Sequence, residues 1–142
     1  MEALLLNTLP IVGVIVGAFL QFHFSKNKDN RQLKRALETQ AYTDYLRAVA
    51  GLSMSHRFND EEKKREYLSV LTEAKIKISI YGSKEVIESL ADFEREGANF
   101  NTDKQKTLFI KIGQAMRSTN INSTEKVLDK NFGQLFFSID LE

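Results

Sequence analysis

The sequence predicts an all-α protein, in which a single N-terminal transmembrane helix precedes an up-and-down cytoplasmic bundle of four to five helices. The chain of 142 residues has one Pro and seven Gly, which disfavours a β fold rich in tight turns. Its beginning is apolar on every face, and beyond that beginning apolar residues recur at steps of three and four, as in amphipathic helices. The balance of 20 Lys and Arg against 19 Asp and Glu excludes a polycationic or polyanionic protein.

The predicted organisation has four parts. We expect the transmembrane helix over residues 1–24, a basic juxtamembrane segment over 25–35 and the cytoplasmic bundle over 36–140. Residues 141–142, Leu141 and Glu142, could derive from an expression vector and are not assigned to the bundle.

The first part is long enough to cross a bilayer. Residues 3–24 contain no Asp, Glu, Lys or Arg, and the stretch from Leu9 to Leu20 is almost wholly apolar. A helix of about 20 residues, at a rise of about 1.5 Å each, spans a hydrocarbon layer of about 30 Å. A buried core helix is one alternative. A cleaved signal peptide is another, although its basic start and small-residue cleavage site are missing from this sequence.

A basic collar follows the apolar run and predicts the orientation. It consists of Lys26, Lys28, Arg31, Lys34 and Arg35. By the positive-inside rule, the C-terminal domain lies in the cytoplasm and the N-terminus outside, in a single pass through the inner (cytoplasmic) membrane of a bacterium. The collar would contact anionic lipid headgroups. Nucleic acid is not an expected partner, because no aromatic residue is interleaved with these cations to stack on bases.

One side of the predicted membrane helix has the residues of a self-association face. Asn7, Gly13, Gly17 and Gln21 fall within a sector about 120° wide at about 100° per residue. Gly13 and Gly17 form a G-x-x-x-G pair that lets two helix backbones approach closely, and Asn or Gln can donate hydrogen bonds across such a pair. Pro10 could kink the helix and change the phase of Asn7.

The bundle is built from segments with recognisable helix boundaries. We expect helices from Arg31 to near Phe58, from a cap at Asn59 or Asp60 to Gly82, from a cap at Ser83 to near Gly97, from the Thr102–Gln105 capping box onward, and over Thr124–Asn131. The chain from Phe132 to Asp140 is expected to pack back onto the bundle or against a neighbour. The predicted core residues are Leu33, Leu37, Ala41, Tyr42, Tyr45, Leu46, Val49, Leu52, Tyr67, Leu71, Ala74, Ile78, Tyr81, Val86, Ile87, Leu90, Ala91, Phe93, Leu108, Phe109, Ile112, Ala115 and Met116.

The sequence predicts no catalytic, cofactor-binding or metal site. The absence of Cys excludes disulfides, a thiol nucleophile and Cys-based zinc sites. His23 lies at the expected membrane exit. His56 follows Ser53 and Ser55, but no G-x-S-x-G motif accompanies them. The acidic run that begins at Asp60 is interpreted as helix capping rather than as a metal site.

The layout of a single membrane helix, a basic collar and a small helical bundle resembles small bacterial membrane effectors of antiphage systems, as well as unrelated membrane-anchored adaptors. The resemblance covers the order of the parts only. The Arg-to-His motif of HEPN ribonucleases is absent, since eight residues separate Arg47 from His56.

Three functional hypotheses follow. The first is a non-enzymatic, self-assembling membrane protein whose partners are the lipid bilayer and further copies of itself, in one form a pore or membrane-perturbing effector. The second is a membrane-anchored adaptor whose bundle recruits a cytoplasmic protein. The third is an enzyme of unrecognised type. We favour the first hypothesis.

Overall fold

The computed structural model describes the backbone of residues 2–121, 127 and 129–138, and their side chains apart from those of 2–19, 22–24, 27, 120 and 121. Every regular element of this described part is a helix, which confirms the all-α class. The helices are α1 (Glu2–Phe58), α2 (Glu61–Tyr81), α3 (Lys84–Arg95), α4 (Asp103–Ile121) and α5 (Asp129–Phe137).

The chain divides into two compact units, Met1–Ala36 and Leu37–Glu142. In the first unit, α1 runs through the polar stretch from Ser25 to Asn30 without a break, so the helix expected from Arg31 begins earlier than predicted. The stretch contains no Gly or Pro that would end a helix. Within the described residues, no helix combines the length and the hydropathy that crossing a membrane requires. The side chains of residues 2–19, which make up most of the predicted transmembrane helix, lie outside the described set.

The second unit contains the hydrophobic core. Most of the buried residues belong to the predicted stripes: Ala41, Tyr42, Tyr45, Ala74, Ile78, Val86, Leu90, Phe93, Phe109, Ile112 and Met116. The rings of Phe93, Phe100 and Phe109 pack together at one end, with centroids 5.0–5.6 Å apart. Aromatic side chains bury large areas, so this cluster is a principal source of the unit's stability.

The turn between α1 and α2 resolves a choice that the sequence left open. Asp60 is the N-cap of α2, and its Oδ1 accepts the backbone N–H of Lys63 at 3.0 Å. Asn59 instead adopts a left-handed conformation, with φ of 54°, and ends α1. Asn tolerates this conformation better than most residues.

The short connection between α2 and α3 lies at the predicted residues. Gly82 ends α2, and the Ser83 hydroxyl accepts the N–H of Val86 as the cap of α3. Gly82 is not left-handed, however, since its φ is −67°. Glycine is required for space, because a Cβ here would lie 2.5 Å from the Ile78 carbonyl oxygen.

The predicted capping box at the start of α4 is confirmed. The Thr102 hydroxyl accepts the N–H of Gln105 at 3.2 Å, and the Gln105 side-chain oxygen accepts the N–H of Thr102 at 3.0 Å. Gln105 Nε2 also donates to the Glu96 carbonyl at 2.6 Å, which ties the α3–α4 connection to the first turn of α4.

The expected helix over Thr124–Asn131 is wrong in its bounds. Val127 is not helical, α5 begins at Asp129, and residues 122–126 and 128 lie outside the described set. Phe136 and Phe137 on α5 contact Phe109 of α4, with ring centroids 5.5 and 6.0 Å apart. Packing of these rings therefore places the helix later in the chain, and it confirms that this end of the chain packs back onto the bundle.

The predicted stripes extend too far at two places. Leu33 and Leu37 are 60% and 37% exposed, because Leu33 lies in the first unit and Leu37 at the very start of the second. Ile87 on α3 is also exposed. Conversely, Ile110 on α4 is fully buried although the stripe omits it.

Gly51 allows α1 and α2 to approach closely. A Cβ at this position would overlap the ring of Tyr67, at its Cε1, Cζ and Cδ1 atoms. The glycine therefore has a packing role that outweighs its low helix propensity.

Replacing Gly51 with Ala should lower the free energy of unfolding by about 1–2 kcal/mol, because overpacking of this kind costs about 1–3 kcal/mol. In a Tyr67→Ala background the overlap is gone, so the same change should stabilise α1 by up to about 1 kcal/mol. Denaturant titration of the full chain in detergent, followed by far-UV circular dichroism, measures both values. Equal effects in the two backgrounds would contradict the contact.

Candidate interaction surface

The structure describes the side-chain surroundings of only one of the four residues of the predicted self-association face. Gln21 is exposed on α1. The side chain of Asn7, and the surroundings of Gly13 and Gly17, lie outside the described residues. That face therefore stays a prediction from the sequence.

The basic collar is fully described, and all five cations are exposed on α1. At about 100° per residue, the collar residues distribute over more than half of the helix circumference rather than along one stripe. None of these five cations forms an ion pair with a carboxylate among the described residues. Their charge is therefore available to a surface that surrounds the helix, such as a layer of lipid headgroups.

The histidine and serine residues near the end of α1 do not form a nucleophilic pair. The Ser53 hydroxyl donates to the Val49 carbonyl, and the Ser55 hydroxyl donates to the Leu52 carbonyl. His56 is exposed in the last turn of α1. Among the described residues, no group of three or more His, Asp or Glu side chains is arranged to hold a metal ion.

The feature that sequence patterning missed is a second apolar face on α2. We define the outward strip of α2 as its exposed, uncharged residues between Leu68 and Ile80: Leu68, Ser69, Thr72, Ile76, Ser79 and Ile80. At about 100° per residue, the strip lies opposite the buried residues Ala74 and Ile78. Leu68, Ile76 and Ile80 are 46%, 55% and 64% exposed, so three large aliphatic side chains face solvent within a sector about 120° wide.

Two of the three hydroxyl groups of the outward strip, those of Thr72 and Ser79, are already satisfied by the helix itself. Thr72 Oγ1 donates to the Leu68 carbonyl at 2.9 Å, and Ser79 Oγ donates to the Ile76 carbonyl at 2.7 Å. Such hydroxyls lose little when a second surface excludes water, because no donor becomes unpaired. Thr72 and Ser79 can therefore be buried at low cost in polar desolvation, whereas the hydroxyl of Ser69 would need a partner on the second surface.

Charged side chains border the outward strip on both sides, with opposite signs. Glu66 and Glu73 lie along one edge, and Lys64 and Lys75 lie along the other. Lys77, further round on the acidic side, contacts Glu73 Oε1 at 2.8 Å. Hydrogen bonding to Glu73, followed by that to Asp44, raises the pKa of Lys77 above its ordinary value.

A buried carboxylate fixes the position of α2 on α1. Asp44 is 6% exposed, and its Oδ1 accepts hydrogen bonds from Gln40 and Arg47 at 2.9 and 2.8 Å. Its Oδ2 lies 3.4 Å from Nζ of Lys77. Because a buried carboxylate is costly without partners, this network specifies how the two helices meet and keeps the outward strip turned away from the core.

A second buried network joins α1 to the start of α3. The Tyr42 hydroxyl donates to Glu38 Oε1 at 2.8 Å and accepts the Ser83 N–H at 2.9 Å. Thr119 on α4 donates to the Ser83 hydroxyl at 3.1 Å. Burial raises the pKa of Tyr42, so its hydroxyl stays protonated and continues to donate to Glu38. These contacts fix the positions of α1, α3 and α4 relative to one another.

No family model, curated protein or solved structure matches this chain. Function is therefore argued from the surfaces of the molecule alone.

Proposed function

We propose that this protein is a non-enzymatic, single-pass membrane protein that self-associates through its N-terminal helix and through its helical bundle. In this proposal residues 1–24 span the inner membrane, with the N-terminus outside. Residues 36–140 form an up-and-down bundle in the cytoplasm.

Two features of the chain support a membrane position. Residues 3–24 lack Asp, Glu, Lys and Arg, although charged residues make up 27% of the whole chain. Directly after this run, the exposed collar cations cover more than half of the circumference of α1 and have no described carboxylate partner. An apolar segment next to a broad arc of unpaired cations fits the boundary between lipid tails and anionic headgroups.

The observation that carries self-association is the outward strip of α2. A monomer rarely places several large aliphatic side chains in one uncharged line, and such a patch indicates a surface that another molecule covers. Together with the Gly13 and Gly17 pair in the N-terminal segment, the chain offers one contact surface in each of its two units.

Replacing both Gly13 and Gly17 with Leu should reduce the oligomer size of the full chain in detergent, because the added bulk prevents close helix approach. The segment still spans, since lipid accepts Leu as readily as Gly. Size-exclusion chromatography with light scattering measures the change, and Val12→Leu on the opposite side of the predicted helix is the matched control. Leakage of dye from liposomes containing the parent protein would identify a pore as the form of assembly.

An adaptor would behave differently in the same experiment. Its membrane helix only tethers the bundle, so the double substitution would leave the oligomer unchanged. An unchanged oligomer, together with intact liposomes, would remove the self-associating membrane helix from the proposal and favour the adaptor.

A further inference from the structure

We infer that the outward strip of α2 packs in parallel against the same strip of a second copy, with the acidic edge of each helix beside the basic edge of the other. This inference rests on one part of the proposed function, the self-association of the bundle, and names the surface through which it occurs. It does not depend on the N-terminal helix being the second contact.

The spacing within the strip suits the packing of one helix on another. Leu68, Thr72, Ile76 and Ile80 recur every four residues and form one ridge along α2. Such a ridge packs into the grooves between rows of residues three apart on another helix at a crossing angle of about 20°, which keeps the two helices nearly parallel. Ser69, Thr72 and Ser79 are small enough to permit close approach, and the aliphatic side chains fill the space beside them.

The charges at the edges determine the direction of the pair. In a parallel two-fold pair, one edge of each helix lies beside the opposite edge of its partner. Glu66 then lies next to Lys64 of the second copy. The two positions differ in level by about 3 Å along the helix axis, because they are two residues apart at a rise of about 1.5 Å each. Glu73 comes equally near to Lys75.

An antiparallel pair would place like edges together. Glu66 and Glu73 would then lie along the acidic edge of the second copy, which disfavours that arrangement. Within a single copy Lys75 contacts Glu94 at 2.6 Å, and Lys64 contacts Glu61 at 3.3 Å. A Lys ammonium has three N–H donors, so Lys64 and Lys75 can each also donate to a carboxylate of the partner.

The strip is narrow and would hold a dimer weakly by itself, because stable interfaces bury about 800 Å² on each partner. Anchoring in one membrane removes this difficulty. It confines the copies to a thin layer and raises their effective concentration, so that a weak contact becomes populated. We therefore expect the contact between strips to add to association of the anchored full chain.

The experiment uses the natural absence of Cys. Full-length Thr72→Cys and Ile76→Cys variants, reconstituted in liposomes and oxidised mildly, should each form a disulfide-linked dimer. In a parallel pair equivalent residues lie at the same level, and a disulfide needs Cα atoms within about 7 Å of each other. Ser53→Cys, which is exposed on α1 away from the strip, is the matched control and should form several-fold less dimer.

Two further variants test the surface and its direction. Adding Ile76→Glu to Thr72→Cys should reduce the dimer about tenfold, as loss of a central contact does, while Leu135→Glu, at a position 81% exposed, should not. Glu66→Lys should weaken cross-linking, and Glu66→Lys with Lys64→Glu should restore it. A mixture of Ser69→Cys and Ser79→Cys chains should give no mixed dimer, because these levels are about 15 Å apart along the axis.

Each contrary outcome has a distinct meaning. Mixed Ser69–Ser79 dimers would overturn the parallel arrangement. An oligomeric parent without Thr72→Cys or Ile76→Cys dimers would overturn this inference and leave the proposed function standing. Quenching of an Ile76→Trp fluorophore by brominated lipid, without cross-linking, would assign the strip to the membrane surface and overturn the inference. Cross-linked dimers together with no effect of the Gly13 and Gly17 substitutions would support the strip and remove the N-terminal contact.

Discussion

Substitution of Phe109 by Ala should reduce the free energy of unfolding by about 3–5 kcal/mol, the usual cost of deleting a buried Phe ring. The ring is 5% exposed. It contacts Phe93 of α3 at a centroid distance of 5.6 Å, Phe100 at 5.0 Å and Phe136 of α5 at 5.5 Å. The cavity left by the substitution would open at the place where three helices meet. Small domains have total stabilities of about 5–15 kcal/mol, so this variant should be close to unfolding.

Urea titration of the full chain in mild detergent, followed by far-UV circular dichroism, measures this loss. Leu135→Ala on α5 is the matched control, because Leu135 is 81% exposed and its truncation should change the free energy by less than about 0.5 kcal/mol. Ile112→Ala, at a fully buried position outside the ring cluster, should cost about 2–5 kcal/mol. Similar midpoints for Phe109→Ala and Leu135→Ala would show that the aromatic cluster is not the core of the unit.

Helix boundaries were the part of this fold that local chemistry could predict. The caps at Asp60, Ser83 and Thr102 each use a side-chain oxygen to accept an N–H within the first turn of the following helix. Such contacts involve residues three apart in the chain, so the sequence contains all the information that they need. The end of α1 at Phe58 and the stop at Gly82 were predictable for the same reason.

Features that depend on distant partners could not be predicted in this way. Asp44 looks like an ordinary exposed acid until α2 brings Lys77 next to it, 33 residues further along the chain. The Phe136 ring of α5 packs against Phe109, 27 residues earlier in the chain. Each of these features follows from contacts between distant segments. The periodicity of residues within one segment contains no information about such contacts.

The outward strip illustrates a different difficulty. Leu71, Ala74 and Ile78 form one apolar stripe on α2. A single stripe is enough to explain how a helix packs on a core, so the sequence pattern gives no reason to look for a second one. Leu68, Ile76 and Ile80 are equally visible in the sequence, but their meaning depends on which face the other helices cover. Where a helix is apolar on two opposite faces, the pattern itself indicates that one face is left for another molecule.

A lysine in place of Val14 should lower membrane insertion of the full chain by about 2.5–3.5 kcal/mol, the cost of a cation near the centre of a spanning helix. Ser25→Lys is the matched control, because it adds the same charge next to the collar, where anionic headgroups favour it. Resistance to alkaline carbonate extraction from isolated membranes measures the outcome.

We expect the parent and Ser25→Lys proteins to stay in the membrane pellet and a large part of the Val14→Lys protein to be released. A parent protein that is itself released by carbonate would contradict the spanning helix. The collar would then act as a peripheral contact, and self-association would depend on the outward strip alone. Loss of the N-terminal segment from the mature parent would instead identify that segment as a cleaved signal, because a retained anchor keeps its first residues.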